Sequence, residues 1–538
     1  MKKSMIFAMC AFAFAFASCE QNGGLDLPKG EIEQSYVAIS LASADAPTRA
    51  TTEGLDEGTE AERAVKSAYV FFYKDGVPFP VNEAANAAGG ADDKNYLSIS
   101  LDENGADPSD NATTNISDVK NKVLVLNNYK GQYPNQVIAV LNFNPTSVED
   151  IHTKTITDLQ ETLVGLGNDT NGYVMSNSVY ADATGEVVAT PLAAANIATS
   201  SADAIANPVK IYVERVAAKV VVGTNAGSKD GYTAQDNANV YKLGNGLING
   251  VGDQVYAKVL AWEVVNYSQS YLYKDIDASW TDGVLKFSWN DLANYRSYWA
   301  TTQSAALPTV VLDNVTSLAA KYTGENTNAV EGKYAELVIK AQLQKADGTP
   351  CELAKWYGYE YVGRDNLKQA VINNIASTYY YKANETTYTT IGTADIETVG
   401  YSTTAPDGVD AYEVYFQLST DGAGKTWYVR NNGEFVAVGN AAAMNAKLAE
   451  ILPALLYAEG YTYYHTPIVH RATAENTVYG VVRNHVYNVN IKSIHGYGTP
   501  ISVGNLSVTP VTPEEISSYV AAEINVLSWK TVTYEVDL

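Results

Sequence analysis

Thr531-Val-Thr-Tyr-Glu-Val-Asp-Leu538 alternates apolar and polar residues, the period-2 pattern of a strand with one buried face. Val532, Tyr534, Val536 and Leu538 share a side, and Ile524 and Val526 extend the same stripe upstream. Ser528 and Lys530 interrupt it while Leu527 and Trp529 take the other face. Two strand segments joined at a bulge or bend are therefore expected. A second alternating run, Tyr36-Val-Ala-Ile-Ser-Leu41, sets Val37, Ile39 and Leu41 on one face. The residues after it, 42–62, are small and polar, as in an exposed, protease-sensitive loop. Arg49 is the sole basic residue between Lys29 and Arg63, so the Arg49–Ala50 bond is the preferred cut. Arg63 is the alternative, but it abuts the apolar run Ala64–Tyr73. One strand is thus removable and another is placed to leave.

The composition fits this β reading. Of 538 residues, 46% are hydrophobic, only 18% are charged and 39 are tyrosine. Tyr, Val and Thr favour half-buried pleated surfaces. A net charge of −24 argues against nucleic acid as a partner, because phosphate neutralisation needs clustered Lys and Arg. At the N-terminus Lys2 and Lys3 precede the apolar run Met5–Ala17, which ends in Ala17-Ser18-Cys19. That run is too short to span a bilayer and reads as a signal peptide. A Cys directly after small residues resembles a lipobox, which makes Cys19 the lipidation site and would tie the precursor to a membrane. Cys10 leaves with the signal, so Cys351 alone remains in the folded part and no internal disulfide staples it.

Along the chain, residues 1–19 are signal and lipobox, and 20–49 a propeptide with the removable strand. An N-terminal domain is expected over 50–228, a C-terminal domain over 229–510 and a donor segment over 511–538. Ala68–Tyr73 followed by Asp75-Gly76 reads as a strand entering a tight turn. Residues 210–222 read as one long strand, and the turn-rich 223–231 places the boundary near 228. Further strands are expected at 255–265, 334–344, 411–419, 426–438 and 479–494. Helices are expected at 155–166, 366–376 and 441–457. Many strands with a few peripheral helices make a mostly β chain of two tandem sandwiches.

Enzyme-like patterns are incomplete. Ser419–Thr426 approaches a phosphate loop but lacks its first glycine and runs into Trp427-Tyr-Val-Arg, a strand, so a hairpin turn is expected there. Gly244-x-Gly246 reads as a loop, and His465, His470, His485 and His495 lack metal-type spacing. Asp102-x-Asn104-x-x-Asp107 is an incomplete calcium pattern. No G-x-S-x-G or H-E-x-x-H occurs. No catalytic residue, metal or cofactor is assigned. Arg215 and Lys219 read equally as a charge pair or an interface feature.

The Cys19 lipobox, Val213-Glu-Arg-Val-Ala-Ala-Lys-Val220, Val482–Ile494 and Val526–Leu538 together resemble the Mfa-type major fimbrial subunits (fimbrillins) of Bacteroidales type V pili. The resemblance implies two transthyretin-like β-sandwich domains, export as an outer-membrane lipoprotein and cutting by an Arg-specific protease. By position the cut falls between Arg49 and Ala50. It also implies a surface fimbria built as a homopolymer by C-terminal donor-strand exchange, with accessory tip and anchor proteins as partners. This chain departs from some relatives in lacking a long Pro/Asp-rich spacer before its last strands. Two other readings stand beside a shaft subunit: a monomeric surface lipoprotein binding glycans or host proteins through Tyr/Trp-rich loops, and a secreted two-domain hydrolase.

Overall fold

The computed structural model describes residues 32–43, 58–81, 94–99, 114–115, 122–129, 132–178, 180–182, 185–187, 189–224, 227–247, 254–265, 270–275, 310–311, 314–328, 330, 333–400, 402–410, 412–472, 477–501, 507–508, 519–527 and 533–535. The chain is mostly β, organised as sheets packed on apolar cores, with short helices between.

The first sheet is built from β1 (Ile32–Ser43), β2 (Ala68–Lys74), β3 (Val77–Pro78), β4 (Lys122–Tyr129), β5 (Gln136–Leu141), β6 (Met175–Asn177) and β7 (Val209–Arg215). Its spatial order is β3-β2-β5-β6-β7-β1-β4, with two short strands added to its nine in all. The expected turn between β2 and β3 is present: Asp75 and Gly76 both take positive φ, 54° and 81°, as a type I′ hairpin requires. Side chains alternate between two cores. Val70, Phe72, Ala139 and Ile211 face one; Tyr69, Phe71, Tyr73, Ile138 and Val140 face the other, where short helical turns around Val148–Leu159 cover them. Burial on both faces explains why β2 reads as a continuous apolar run.

A second pair of sheets follows. One has the order β11-β8-β23-β25-β26 and the other β9-β10-β12-β22-β24. The strands before the break are β8 (Ala218–Gly223), β9 (Val240–Leu247), β10 (Gln254–Val265), β11 (Lys321–Thr323) and β12 (Glu336–Gln344). The others, β22 (Tyr461–Pro467), β23 (Val486–His495), β24 (Thr499–Pro500), β25 (Tyr519–Leu527) and β26 (Thr533–Glu535), close the chain. Val220, Trp262, Leu337, Ile339, Tyr487 and Ile491 are among the residues of the shared core.

Between β12 and β22 lies a unit with its own core. It comprises β13 (Leu353–Trp356), β14 (Tyr359–Val362), α-helix Gly363–Ile375, β15 (Tyr379–Lys382), β16 (Tyr388–Thr390), β17 (Ile396–Gly400), β18 (Glu413–Leu418), β19 (Trp427–Asn431), β20 (Glu434–Gly439), α-helix Ala441–Leu448 and β21 (Ala454–Tyr457). Phe416, Trp427, Leu367, Val371, Met444 and Leu448 meet inside it.

Several expectations change. The strand over 210–222 is two strands, because β7 joins the first sheet and β8 the second. The change of sheet falls at Val216-Ala217. The helix over 441–457 stops at Leu448. Pro453 has no N–H to continue it, and Ala454–Tyr457 becomes a central strand. The helix over 155–166 is only Ile156–Gln160. Ser419–Thr426 is not a hairpin turn: Ser419 caps the single helical turn Thr420–Ala423, and the flanking β18 and β19 lie in different sheets. Gly244-x-Gly246 lies within β9, at a register irregularity rather than in a loop.

Candidate functional site

The strand expected to be removable, β1, is an interior strand of the first sheet. β1 runs parallel to β7, Ile39 opposite Val209 through Ser43 opposite Val213. On its other side it runs antiparallel to β4, Ile32 opposite Tyr129 through Ile39 opposite Lys122. Val37 and Ile39 are fully buried in the first core beside Leu124, Leu126, Ile211 and Val213. Leu41 stands opposite Ile211 in the ladder. Ala38, which faces the other way, is also fully buried. The helical turn Ser201–Ala206 lies beside both β1 and β4. Upstream of the β7 ladder, Tyr36 exchanges two backbone hydrogen bonds with Ala198, of 2.8 and 2.9 Å. Next to this bridge is an open cavity of ≈ 370 Å³ lined by Ser35, Tyr133, Asn135, Leu192 and Ile197, among others.

The topology has one consequence that alternation alone could not reveal. Among the described residues β4 has no sheet neighbour but β1. Taking β1 away would separate β4 from β7 and leave both ladders open beside an apolar trough.

The C-terminal candidates divide. Ile524 and Val526 lie in β25, which pairs along its whole length with β23, Val486 opposite Leu527 through His495 opposite Tyr519. Tyr534 lies in β26, a three-residue edge strand. The two segments form an antiparallel pair, with Ile524 opposite Tyr534. The register also sets Glu535 opposite Glu523. Val532, Val536 and Leu538 lie outside the described residues, as do Cys19, Arg49, Ala50 and the Asp102–Asp107 pattern.

Arg215 and Lys219, at the passage between the sheets, converge on Glu62. Lys219 Nζ is 2.6 Å from the fully buried Glu62 carboxylate, the Tyr322 hydroxyl donates to the same oxygen, and Arg215 Nε donates to the Glu62 carbonyl at 2.7 Å. Burial alone would push the Glu62 carboxyl up; hydrogen bonds from Lys219, Tyr322 and the Thr59 backbone outweigh it and hold the group below its ordinary range. A second buried pair joins Arg483 to Glu325 at 2.6 Å. Arg483 also donates to the Tyr271 carbonyl at 2.7 Å, so the segment Ser270–Lys274 is pinned between the two sheet systems. Partners this distant in sequence gave no local signal.

The histidines are tied up in structure. His465 lies 2.9 Å from Glu336, His470 2.9 Å from the Tyr487 hydroxyl, and His485 2.8 Å from the Arg483 carbonyl. His495 is 3.1 Å from Ser493. No metal-type cluster of His, Cys, Asp and Glu occurs among the described residues. Lys425 of the loop-like sequence pairs with Asp395 and sits 3.9 Å over the Tyr381 ring. Among the described residues no helix is long and apolar enough to cross a membrane.

The described residues form a mostly β chain in which β1 lies between β7 and β4. Residues 455–535 match the family model "Major fimbrial subunit protein type IV, Fimbrillin, C-terminal". The likeness to fimbrillins is thus carried by the C-terminal part of the chain. Among solved structures it is similar to a fimbrilin (FimA) from Porphyromonas gingivalis W83, at 10% identity and TM-score 0.35, covering 91% of this chain and 96% of that one. It is also similar to the C-terminally truncated tip fimbrial protein Mfa3 from P. gingivalis, at 10% identity and TM-score 0.24, covering 91% and 99%. A candidate cell adhesion protein from Parabacteroides distasonis ATCC 8503 shows 12% identity and TM-score 0.36, covering 92% and 99%. No curated protein matches the chain in sequence.

Proposed function

We propose that the protein is the shaft subunit of a surface fimbria, exported as a lipoprotein through Cys19, cut after Arg49 and polymerised by strand exchange. In this reading β1 is a placeholder. Cutting between Arg49 and Ala50 turns β1 from part of the chain into a bound peptide, which loses the high effective concentration of a tethered strand. The tail of another copy then enters between β7 and β4. The observation that carries the reading is the placement of β1 as the link between β4 and the rest of the first sheet.

The energetics suit exchange rather than spontaneous loss. Burying Val37 and Ile39 is worth about 1.5–3 kcal/mol each, and the ladder hydrogen bonds add about 0.5–1.5 kcal/mol apiece. An empty groove is therefore costly, and displacement by an incoming strand is the favoured route. On the donor side β26 is a short edge strand that pairs with β25 alone among the described residues. Adhesion, accessory tip and anchor proteins, and the maturation protease belong to the same proposal. The fimbrillin-type C-terminus supports it over a monomeric binder or a hydrolase.

Full chains without the lipid, treated with an Arg-specific protease, are expected to form ladders on unboiled gels. N-terminal sequencing should place Ala50 first. Deleting residues 531–538 is expected to abolish the ladder with the fold intact. Polymers that persist without that segment, or filaments whose subunits still begin at Cys19, would exclude the mechanism.

A further inference from the structure

The groove around β1 differs in size from slot to slot, and this fixes which residues of an incoming tail can fill it. Facing the core in succession are Ser35, Val37 and Ile39. Ser35 is a small side chain beside a cavity of ≈ 370 Å³, whereas Val37 and Ile39 are fully buried and closely surrounded. The tail offers the apolar series Val532, Tyr534, Val536 and Leu538. Resting on the strand-exchange reading, we infer that Tyr534 of a second copy enters the cavity at the Ser35 position, Val536 takes the Val37 slot and Leu538 the Ile39 slot.

The match is one of volume. Valine replaces valine, leucine replaces its isomer isoleucine, and the one oversized residue meets the one enlarged site. Volume-conserving apolar exchanges are the best tolerated in a packed core. Shifting the tail by two residues toward Leu41 would drive Tyr534 into the Val37 slot, where an extra aromatic ring overpacks the core. Shifting by one residue would turn the apolar stripe outward. The opposite face separates the two registers by size alone: Ala38 is fully buried, so either register buries a carboxyl there at a cost, Asp537 in the proposed register and the longer Glu535 in the two-residue shift. Ile524 and Val526 stay home in this arrangement, held by the β23–β25 ladder.

The register is read by disulfide mapping on β4. Tyr36 stands opposite Val125, which is 40% exposed. Residues opposite each other in an antiparallel pair have Cα atoms about 4.5–5.5 Å apart, within disulfide range. In full chains cleaved with an Arg-specific protease, Val125→Cys combined with Glu535→Cys is expected to crosslink neighbouring subunits under mild oxidation. Val125→Cys with Thr533→Cys is expected to stay silent. The native Cys351 is buried and does not compete. Separately, Tyr534→Ala is expected to weaken strand capture by about ten- to a hundredfold, the loss of one buried aromatic, and Tyr534→Phe to restore it. Crosslinking through position 533 instead of 535, or ladders with neither crosslink, would overturn the register and leave strand exchange standing. If the parent chain forms no ladder after cleavage, strand exchange falls and the register with it.

Discussion

At the scale of single residues, the Glu62 knot is where the two sheet systems are tied. Its carboxylate takes Lys219 and Tyr322 on one oxygen while its carbonyl takes Arg215, so one residue of a short helical turn anchors both strands at the passage from β7 to β8. Because the folded-state pKa is lowered from 4.5, the contribution of Glu62 is complete above the unfolded value and disappears as pH falls through the folded one. Thermal denaturation followed from pH 6 down to pH 3 is expected to show a loss of stability below about pH 4.5. Glu62→Gln should flatten that acid limb and lower stability at neutral pH by about 1–3 kcal/mol, the cost of a charged hydrogen-bond partner removed. An unchanged acid limb in the variant would show that Glu62 does not carry it.

At the scale of elements, the groove depends on how firmly β1 is held before cleavage. Ile39→Ala removes a fully buried side chain at a cost of about 2–5 kcal/mol. The expected result is an uncut precursor whose β1 exchanges earlier, seen as ladder formation before protease is added. A precursor that merely unfolds, with its melting transition abolished, would show that β1 is part of an indivisible core. The strand itself was legible because Val37, Ile39 and Leu41 keep a strict alternation beside a polar loop. The single strand expected over 426–438 breaks into β19 and β20 at Asn432-Gly433, where both residues take the positive φ that the turn needs. The break inside 210–222 was hidden: apolar residues continue straight through Val216-Ala217, and what ends β7 is contact with residues 62 and 484, far away in sequence. The helix at 441–457 was overextended because its apolar residues keep coming beyond Pro453, now as a strand. β4's dependence on β1 is a property of sheet order, and no local pattern encodes it.

At the scale of the whole molecule, the unit between β12 and β22 adds a further layer that local patterning did not separate from the second sandwich. Its entry and exit strands are neighbours: Leu353 stands opposite Tyr457, and both side chains belong to the second sandwich core rather than to the inserted one. The inserted core, built on Trp427, Phe416 and Leu367, is a separate cluster. An insertion whose ends meet across one ladder step leaves no gap when it is removed. Replacing residues 354–456 by a short Gly/Ser turn should therefore leave β12 and β22 paired, since Glu336 to Gln342 face Pro467 to Tyr461 independently of it. The groove around β1 lies in the other sheet system, and β26, proposed to detach, pairs with β25, not with the insertion. The shortened chain is expected to melt cooperatively and, after cleavage, to form ladders at a yield close to that of the parent. Loss of ladders with cooperative melting retained would place the insertion in the contact between successive subunits. In the proposed exchange that contact is close, because only residues 528–530 separate the retained β25 from the tail segment that begins at Thr531, a reach of about 14 Å from Leu527 to Thr531.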